Sequence, residues 1–305
     1  INLHYLHASV KQALQERVEA GHPKLHLTVE AELSGTAGGV ALAQSHFEDT
    51  FCVVGADCVT DLDLKKMLEF HREKRSICTI AGVPYRGTRS FGLMEVDEAD
   101  SVLRFSEKPL RADDKLTLAN AGIYLLEPEI FDRIPDVRPF DFGAHLFPTM
   151  VGKRSGVFCY RIPDGVYWND IDEPLAYRET HRHVLTRGGP LKVTGREVRP
   201  QVFEGKDCLV SPEATIIPPV QLADNVVIRK GARIEGPVVL GRGVVVGEEA
   251  WIADSVVWAG TVVEDGARIR SSLIGSSCHL HREIEYDGVL LASGARFERK
   301  EISSD

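Results

Sequence analysis

The chain has 305 residues, 43% of them hydrophobic and 27% charged, with a formal net charge of −9 at pH 7. That length accommodates two domains, each with its own core. The acidic balance argues against nucleic acid as a partner, because phosphates attract basic surfaces, and no apolar run approaches the length needed to cross a bilayer.

Residues 1–187 alternate helical and strand patterns, as an α/β layer fold does. Ile1–Leu6 reads as a strand end, and Ser9 with Gln12 forms a capping-box pattern for a helix carrying Val10, Leu14 and Val18. Leu25–Val29 alternates as a strand, and a helix opens at the glycine-rich turn before Thr36. Phe51–Val54 is a short apolar run of the kind that marks a buried parallel strand. An amphipathic helix over 61–74 and a strand over 77–83 follow. Strands are expected at 91–97, 101–106 and 118–126, short helices at 127–134 and 142–151, a strand at 156–162 and a helix at 173–186.

Thr186-Arg187-Gly188-Gly189-Pro190 punctuates the chain, which divides it into domains at 1–187 and 188–305. From Ile216 to Trp258 every sixth residue is bulky and apolar: Ile216, Leu222, Ile228, Ile234, Leu240, Val246, Ile252 and Trp258. Ala or Val stands two places before each. A period of six fits short strands wound into a prism, a hexapeptide solenoid. The order begins near Ser211 and breaks after Val262, and residues 287–305 read as a tail or a cap.

Six cysteines (Cys52, Cys58, Cys78, Cys159, Cys208, Cys278) are scattered without a C-x-x-C pair. This usage predicts a reducing, cytoplasmic setting without disulfides or structural zinc.

Five motifs carry chemistry. Glu32-Leu33-Ser34-Gly35-Thr36-Ala37-Gly38-Gly39 opens a helix, where glycines admit a flat or anionic ligand and the helix offers free N–H groups. Asp57 lies just past a strand end, the edge at which α/β sheets bind ligands; as a turn former or N-cap it would look the same. In Phe105-Ser106-Glu107-Lys108-Pro109 a carboxylate that can accept from a hydroxyl stands beside a phosphate-holding ammonium, unless the segment is a solvated turn. Asn120-Ala121-Gly122-Ile123-Tyr124 starts a strand with an amide beside a glycine. Trp168-Asn169-Asp170-Ile171-Asp172 adds acids at another strand end, and two such acids can share a divalent metal.

In this order the motifs resemble the sugar-phosphate nucleotidylyltransferases that carry a left-handed β-helix behind the catalytic domain. Phe91-Gly92, D-F-x-x-x-L-F-P at 141–148 and Y-W-x-D-I extend the likeness. The resemblance implies a Rossmann-like α/β nucleotidyltransferase domain followed by an all-β, left-handed parallel β-helix. It implies that Gly35, Thr36, Ala37 and Gly38 face the nucleotide base, and that Asp57 and Asp170 hold Mg2+. Gly92, Glu107 and Asn120 would contact sugar hydroxyls, with Lys108 at the sugar phosphate; Asp57, Lys108 and Asp170 would be the catalytic set. The implied reaction joins a nucleoside triphosphate to a sugar-1-phosphate and releases pyrophosphate. The G-T-A-G turn with a β-helix most resembles mannose-1-phosphate guanylyltransferases, which use GTP; thymidylyl, uridylyl and adenylyl relatives stay open.

Two departures qualify the resemblance. The G-G-x-G-T-R-x-x-P-L-T loop that holds the triphosphate has no counterpart here, so a preceding segment is expected to carry it, and the 305 residues alone should turn over triphosphate poorly. Asp170-Ile171-Asp172-Glu173-Pro174 stands where D-I-G-T-P is usual. A non-catalytic regulator that binds a nucleotide sugar is the alternative. An acyltransferase would need a catalytic histidine, whereas His279 and His281 read as surface or cap residues. His181 and His183 are expected at the carbonyl end of a helix. Trp251, Val257 and Trp258 are candidates for an apolar flank that joins subunits into a homodimer or higher homo-oligomer, with Trp258 as an alternative filler of the prism interior.

Overall fold

The computed structural model describes residues 1–19, 24–85, 87, 91–110, 114–187 and 190–295. Gly188 and Gly189 of the predicted junction and residues 296–305 of the predicted tail lie outside them. One unit comprises Ile1–Cys58 and Leu62–Val166, the other Val59–Asp61 and Tyr167–Asp305.

In the first unit, β1 (Asn2–Leu3) and β2 (Thr28–Val29) form a small parallel sheet of their own. Helix α1 (His7–Glu19) starts two residues before Ser9, which therefore lies inside the helix and does not cap it. Helix α2 spans Thr36–Ala41. Strand β3 (Phe51–Val54) leads to a turn at Asp57, and β4 (Cys58–Thr60), which follows it, lies largely in the other unit. Helix α3 (Leu64–Lys74) is capped by Asp63, whose carboxylate accepts the Lys65 N–H at 3.0 Å. Strands β5 (Cys78–Pro84), β6 (Leu93–Val96), β7 (Val102–Ser106), β8 (Leu118–Leu126) and β9 (Val157–Arg161) complete a six-stranded sheet with β3.

Strand β8 organises that sheet because it is apolar along nearly its whole length, and such a strand is stable only where both faces are covered. Of its residues only Asn120 and Gly122 are not fully buried. It runs antiparallel to β3, β5 and β6, while β5 pairs with β9 in parallel. Met67, Ile80, Met94, Leu126, Ile130 and Phe147 form the fully buried heart of the layer. Phe51–Val54 departs from the parallel, buried reading: it pairs antiparallel, and Val54 is 47% exposed. An apolar run of four cannot report the direction of its partner.

In the second unit, β10 (Trp168–Asp170) precedes α5 (Pro174–Arg187). His181 and His183 lie within α5 and not at its end; His183 stacks on Tyr167 at 3.6 Å and His181 meets the edge of Tyr177 at 4.6 Å. Burial holds both imidazoles below their ordinary pKa. After a strand at Arg196–Arg199 that pairs antiparallel with Val202–Glu204, the unit is a parallel β-solenoid with Val220, Leu222, Ile228, Ile234, Leu240 and Ile252 stacked inside.

The solenoid starts before Ser211: Val202–Glu204 already pairs in parallel with Val220–Leu222. Half-buried Glu204 stands where later coils place leucine, so the apolar period does not reveal this coil. Nor does the structure decay after Val262. Ile216, Ile234 and Ile252 stack at intervals of 18 residues, but Ile252, Ile269 and Tyr286 at 17. One residue is lost at the corner where Asp254 adopts φ 43°. Ser255 and Val257 therefore turn inward, beside Val238 and Leu240, and Trp258 turns outward to 40% exposure. This overturns the interior placing of Trp258 and removes Val257 from any outer patch. Strands continue to Leu291, inside the segment read as a tail or a cap.

Candidate functional site

The site of the first unit is assembled around a break in β8. Gly122 adopts φ 70°, and the pairing with β5 shifts register between Ile80 and Gly82, the mark of a bulge. The bulge presents Asn120: its Oδ1 accepts the Gly122 N–H at 3.0 Å, and its Nδ2 donates to the Tyr124 hydroxyl at 2.9 Å. Burial raises the pKa of that phenol, so Tyr124 remains a neutral partner. The Gly122 carbonyl accepts the Gly55 N–H at 2.9 Å, tying the Asp57 turn to the same bulge. Asp57 itself is exposed, with Oδ1 folded over Gly55.

Glu107 follows the last residue of β7. Its backbone neighbour Lys108, at φ 42°, donates its N–H to the Phe91 carbonyl at 3.2 Å, while Gly92 accepts the Asn120 N–H at 2.8 Å. These two bonds bring together Phe91-Gly92 before β6, Glu107-Lys108 after β7 and Asn120 within β8. The Glu107 carboxylate lies between two glycines: a Cβ on Gly92 would come within 2.7 Å of Oε2, and one on Gly143 would collide with it. Burial raises the Glu107 pKa above the ordinary carboxylate value, Lys108 opposes the rise, and Asp141 adds to it.

The Gly35–Gly38 turn joins the site through Asp141. Thr36 donates from its N–H to Asp141 Oδ1 at 2.8 Å and from its hydroxyl at 3.2 Å. The Ala37 and Gly38 N–H groups both donate to the Phe140 carbonyl, at 3.0 and 2.9 Å. The helix start therefore does not offer the free N–H groups expected of it. Ala37 and Gly38 are buried, and the exposed part of the turn is Thr36. Gly35, at φ 80°, is required by packing, since a side chain there would meet the Phe140 backbone at 2.6 Å.

Asp141 and Gly143 are the residues that sequence reasoning missed. Both stand in the 141–148 motif, whose sequence alone assigns them no role. Asp170 belongs to the second unit, half-buried at the end of β10, where neighbouring Asn169 donates to Ala176 O at 3.1 Å and Thr180 Oγ1 at 2.9 Å. A cavity of about 340 Å³ in that unit, lined by Tyr177, His181, Val184 and Leu185 among others, contains none of the predicted site residues. Among the described residues no helix is long and apolar enough to cross a membrane.

Comparison with known proteins gives two family matches. Residues 1–187 match the nucleotidyl transferase family, and residues 216–300 match the GMPPB C-terminal domain. A UTP–glucose-1-phosphate uridylyltransferase of Synechocystis sp. is 34% identical over 79% of this chain and 63% of its own length. Mannose-1-phosphate guanylyltransferase 1 of Arabidopsis thaliana is 29% identical over 92% of this chain and 78% of its own. A glucose-1-phosphate adenylyltransferase of Clostridioides difficile is 28% identical over 75% of this chain and 61% of its own. The chain thus spans less than two thirds of the length of two of these relatives.

Proposed function

The chain belongs to the nucleotidyl transferase family, with a β-solenoid behind the family domain, and from that premise we propose that it makes a nucleotide sugar from a nucleoside triphosphate and a sugar-1-phosphate. The observation that carries the proposal is the Glu107 carboxylate held between Gly92 and Gly143, with Lys108 and Asn120 joined to the same corner. A carboxylate accepts from sugar hydroxyls, and glycine on either side leaves no side chain in the way of a sugar ring that approaches it. Lys108 supplies the compact positive charge that a sugar phosphate requires in an acidic protein. Gly35, Thr36, Ala37 and Gly38, anchored on Asp141, provide a fixed wall for the base.

The reaction is in-line attack of the sugar phosphate oxygen on the α-phosphate, so the protein's task is positioning and neutralisation of charge. The carboxylates of Asp57 and Asp170 are hard oxygen donors of the type that suits Mg2+. When bound, the ion would neutralise phosphate charge. Asp57, Lys108 and Asp170 are the catalytic set in this reading. A cytoplasmic setting and pairing of copies through the solenoid belong to the same proposal.

GTP with mannose-1-phosphate is the preferred pair. The plant guanylyltransferase aligns over 92% of the chain, against 79% for the uridylyltransferase, and the solenoid matches the GMPPB C-terminal domain. The test is thermal shift with Mg2+ and each of GTP, dTTP, UTP, ATP and CTP, followed by the matching nucleotide sugars and by pyrophosphate release. Stabilisation by GTP and GDP-mannose is expected. Stabilisation by a nucleotide sugar and no triphosphate would replace this reading with the regulatory one.

A further inference from the structure

Three side chains converge on the outside of the solenoid, in the second unit and apart from every residue assigned above. His279 and His281 flank Leu280, which is fully buried, so strand alternation sends both imidazoles to the same outer face. In the coil before, Val262 pairs with His279 and Val263 with Leu280. Continuing that register places Glu264 beside His281. Glu264 Oε1 lies 2.7 Å from His279 Nε2, and Oε2 lies 3.7 Å from His281 Nδ1. The two rings stack, with centroids 5.3 Å apart and planes inclined at 23°.

An ion pair needs only one of these histidines. The second adds a like charge whenever both are protonated, yet it faces the same carboxylate. Two neutral imidazole nitrogens and one carboxylate oxygen, by contrast, form a metal donor set. One ligand atom from each residue lies within 4.8 Å of the others. A tetrahedral ion with bonds of ~2.1 Å spreads its ligand atoms ~3.4 Å apart; His279 Nε2 lies 2.7 Å from Oε1 and His281 Nδ1 3.7 Å from Oε2, and donors at most 4.8 Å apart must close onto one ion by side-chain rotation.

The support around the ligands is built in. Glu264 Oε2 accepts the Arg282 N–H at 2.8 Å, which fixes the carboxylate, and the Tyr286 hydroxyl accepts the His281 N–H at 3.1 Å. The Glu264 N–H donates to the Leu280 carbonyl at 2.9 Å within the rigid coil ladder. The Arg282 bond orients the carboxylate itself before an ion arrives, and the two bonds from the backbone N–H groups of His281 and Glu264 fix the coil that carries the ligands.

We propose that Glu264, His279 and His281 form a binding site for a divalent transition metal of the zinc type, with a fourth position open to water. The mixed N/O set favours Zn2+, Co2+ or Ni2+ over Mg2+ and Ca2+, which prefer all-oxygen shells. The ion would join successive coils from residue 264 to residue 281 near the C-terminal end of the solenoid. No cysteine takes part, so the cysteine pattern could not have revealed the site.

The test is isothermal titration of the metal-stripped full chain with Zn2+ and with Mg2+, combined with X-ray absorption of the zinc-loaded protein. One equivalent of Zn2+ is expected, with a spectrum of nitrogen and oxygen ligands only. His281→Ala and Glu264→Gln should each weaken binding by at least about tenfold, the lower end of the loss seen even for outer-shell changes. His279→Gln provides a third variant should either of these fail to fold, as judged by circular dichroism without metal. Failure of the wild type to take up Zn2+, sulfur in the first shell, or unchanged affinity in the folded variants would overturn the proposal.

Discussion

The Glu107 carboxylate occupies the space that a side chain on Gly92 would need: an added Cβ would approach Oε2 to 2.7 Å and the Phe105 ring to 2.6 Å. Phe105 is a buried core residue and cannot give way. Gly92→Ala should therefore displace the carboxylate, at a cost of about 1–3 kcal/mol typical of overpacking. A loss of sugar-phosphate affinity greater than the loss of nucleotide affinity is expected in titrations of the two ligands. Equal weakening of both would separate Gly92 from the sugar side of the site.

Glu107 should also give the protein a measurable pH dependence. Burial raises its pKa above the ordinary glutamate value, Lys108 opposing and Asp141 reinforcing. The folded state therefore binds this proton more tightly than the unfolded chain does. Its contribution to stability is full below the unfolded value and is lost as pH rises through the folded one. Glu107→Gln, which never ionises, should melt higher than wild type at pH 7, with the margin closing below the ordinary glutamate range. A charged hydrogen bond to substrate is worth ~1.5–3 kcal/mol, so the same variant should lose roughly 10- to 100-fold in kcat/KM. A melting difference independent of pH would remove the buried carboxylate as its cause.

Thr36 holds Asp141 from two sides, and its hydroxyl also accepts the Phe142 N–H at 3.0 Å. Thr36→Val keeps the shape and deletes the hydroxyl, leaving the part-buried Phe142 N–H without its acceptor. A loss of about 1–2 kcal/mol follows from an unsatisfied donor, with nucleotide affinity falling as the turn loosens. Thr36→Ser should restore both. Denaturant midpoints for the three proteins decide the matter, and a Ser variant no better than Val would remove the hydroxyl as the cause of the loss.

The parts of this site that could be read from sequence are those whose chemistry is local. Glu107 and Lys108 are adjacent in one motif, and Asn120 announces itself beside Gly122. What satisfies the start of α2 could not be read, because its N–H groups are taken by Phe140 and Asp141, about a hundred positions away. Direct counting of sixes found the solenoid through Ile252 and then misplaced Trp258, since one residue removed at the Asp254 corner moves every later side chain to another face. Glu204 hid the first coil for a different reason: periodic apolarity is blind to a coil whose inward position is polar and half-exposed.

Asp57 and Asp170 share a role only in the proposed reaction. If each contributes an oxygen to Mg2+, Asp57→Asn should raise the Mg2+ concentration needed for half-maximal activity and lower the maximum. Its fold should be unaffected, since Asp57 is exposed. Asp170→Asn should show the same metal dependence. Initial rates over a Mg2+ series check both, and an unchanged half-saturation point in either variant would remove that residue from the metal shell.

The shortened corner leaves a chemical signature of its own. In the longer coil the Val238 N–H reaches the Pro219 carbonyl at 3.2 Å. Two coils on, at Ser272, a hydroxyl takes over as acceptor: Ser255 Oγ donates to Ala253 O at 2.6 Å and accepts the Ser272 N–H at 3.0 Å. Ser272 repeats the arrangement, donating to Arg270 O at 2.6 Å and accepting the Val289 N–H at 3.1 Å. Both serines are buried, so removing either hydroxyl leaves an N–H that water cannot easily reach. Ser272→Ala should cost about 1–3 kcal/mol, whereas Ser293→Ala, at an exposed position, should stay within about 0.5 kcal/mol. Hydrogen exchange resolves the cause. The Val289 amide should exchange faster in Ser272→Ala while the Ser272-position amide, still held by Ser255, keeps its protection. Acceleration of both alike would mean that the coil has loosened as a whole and that the hydroxyl ladder is not what holds the corner.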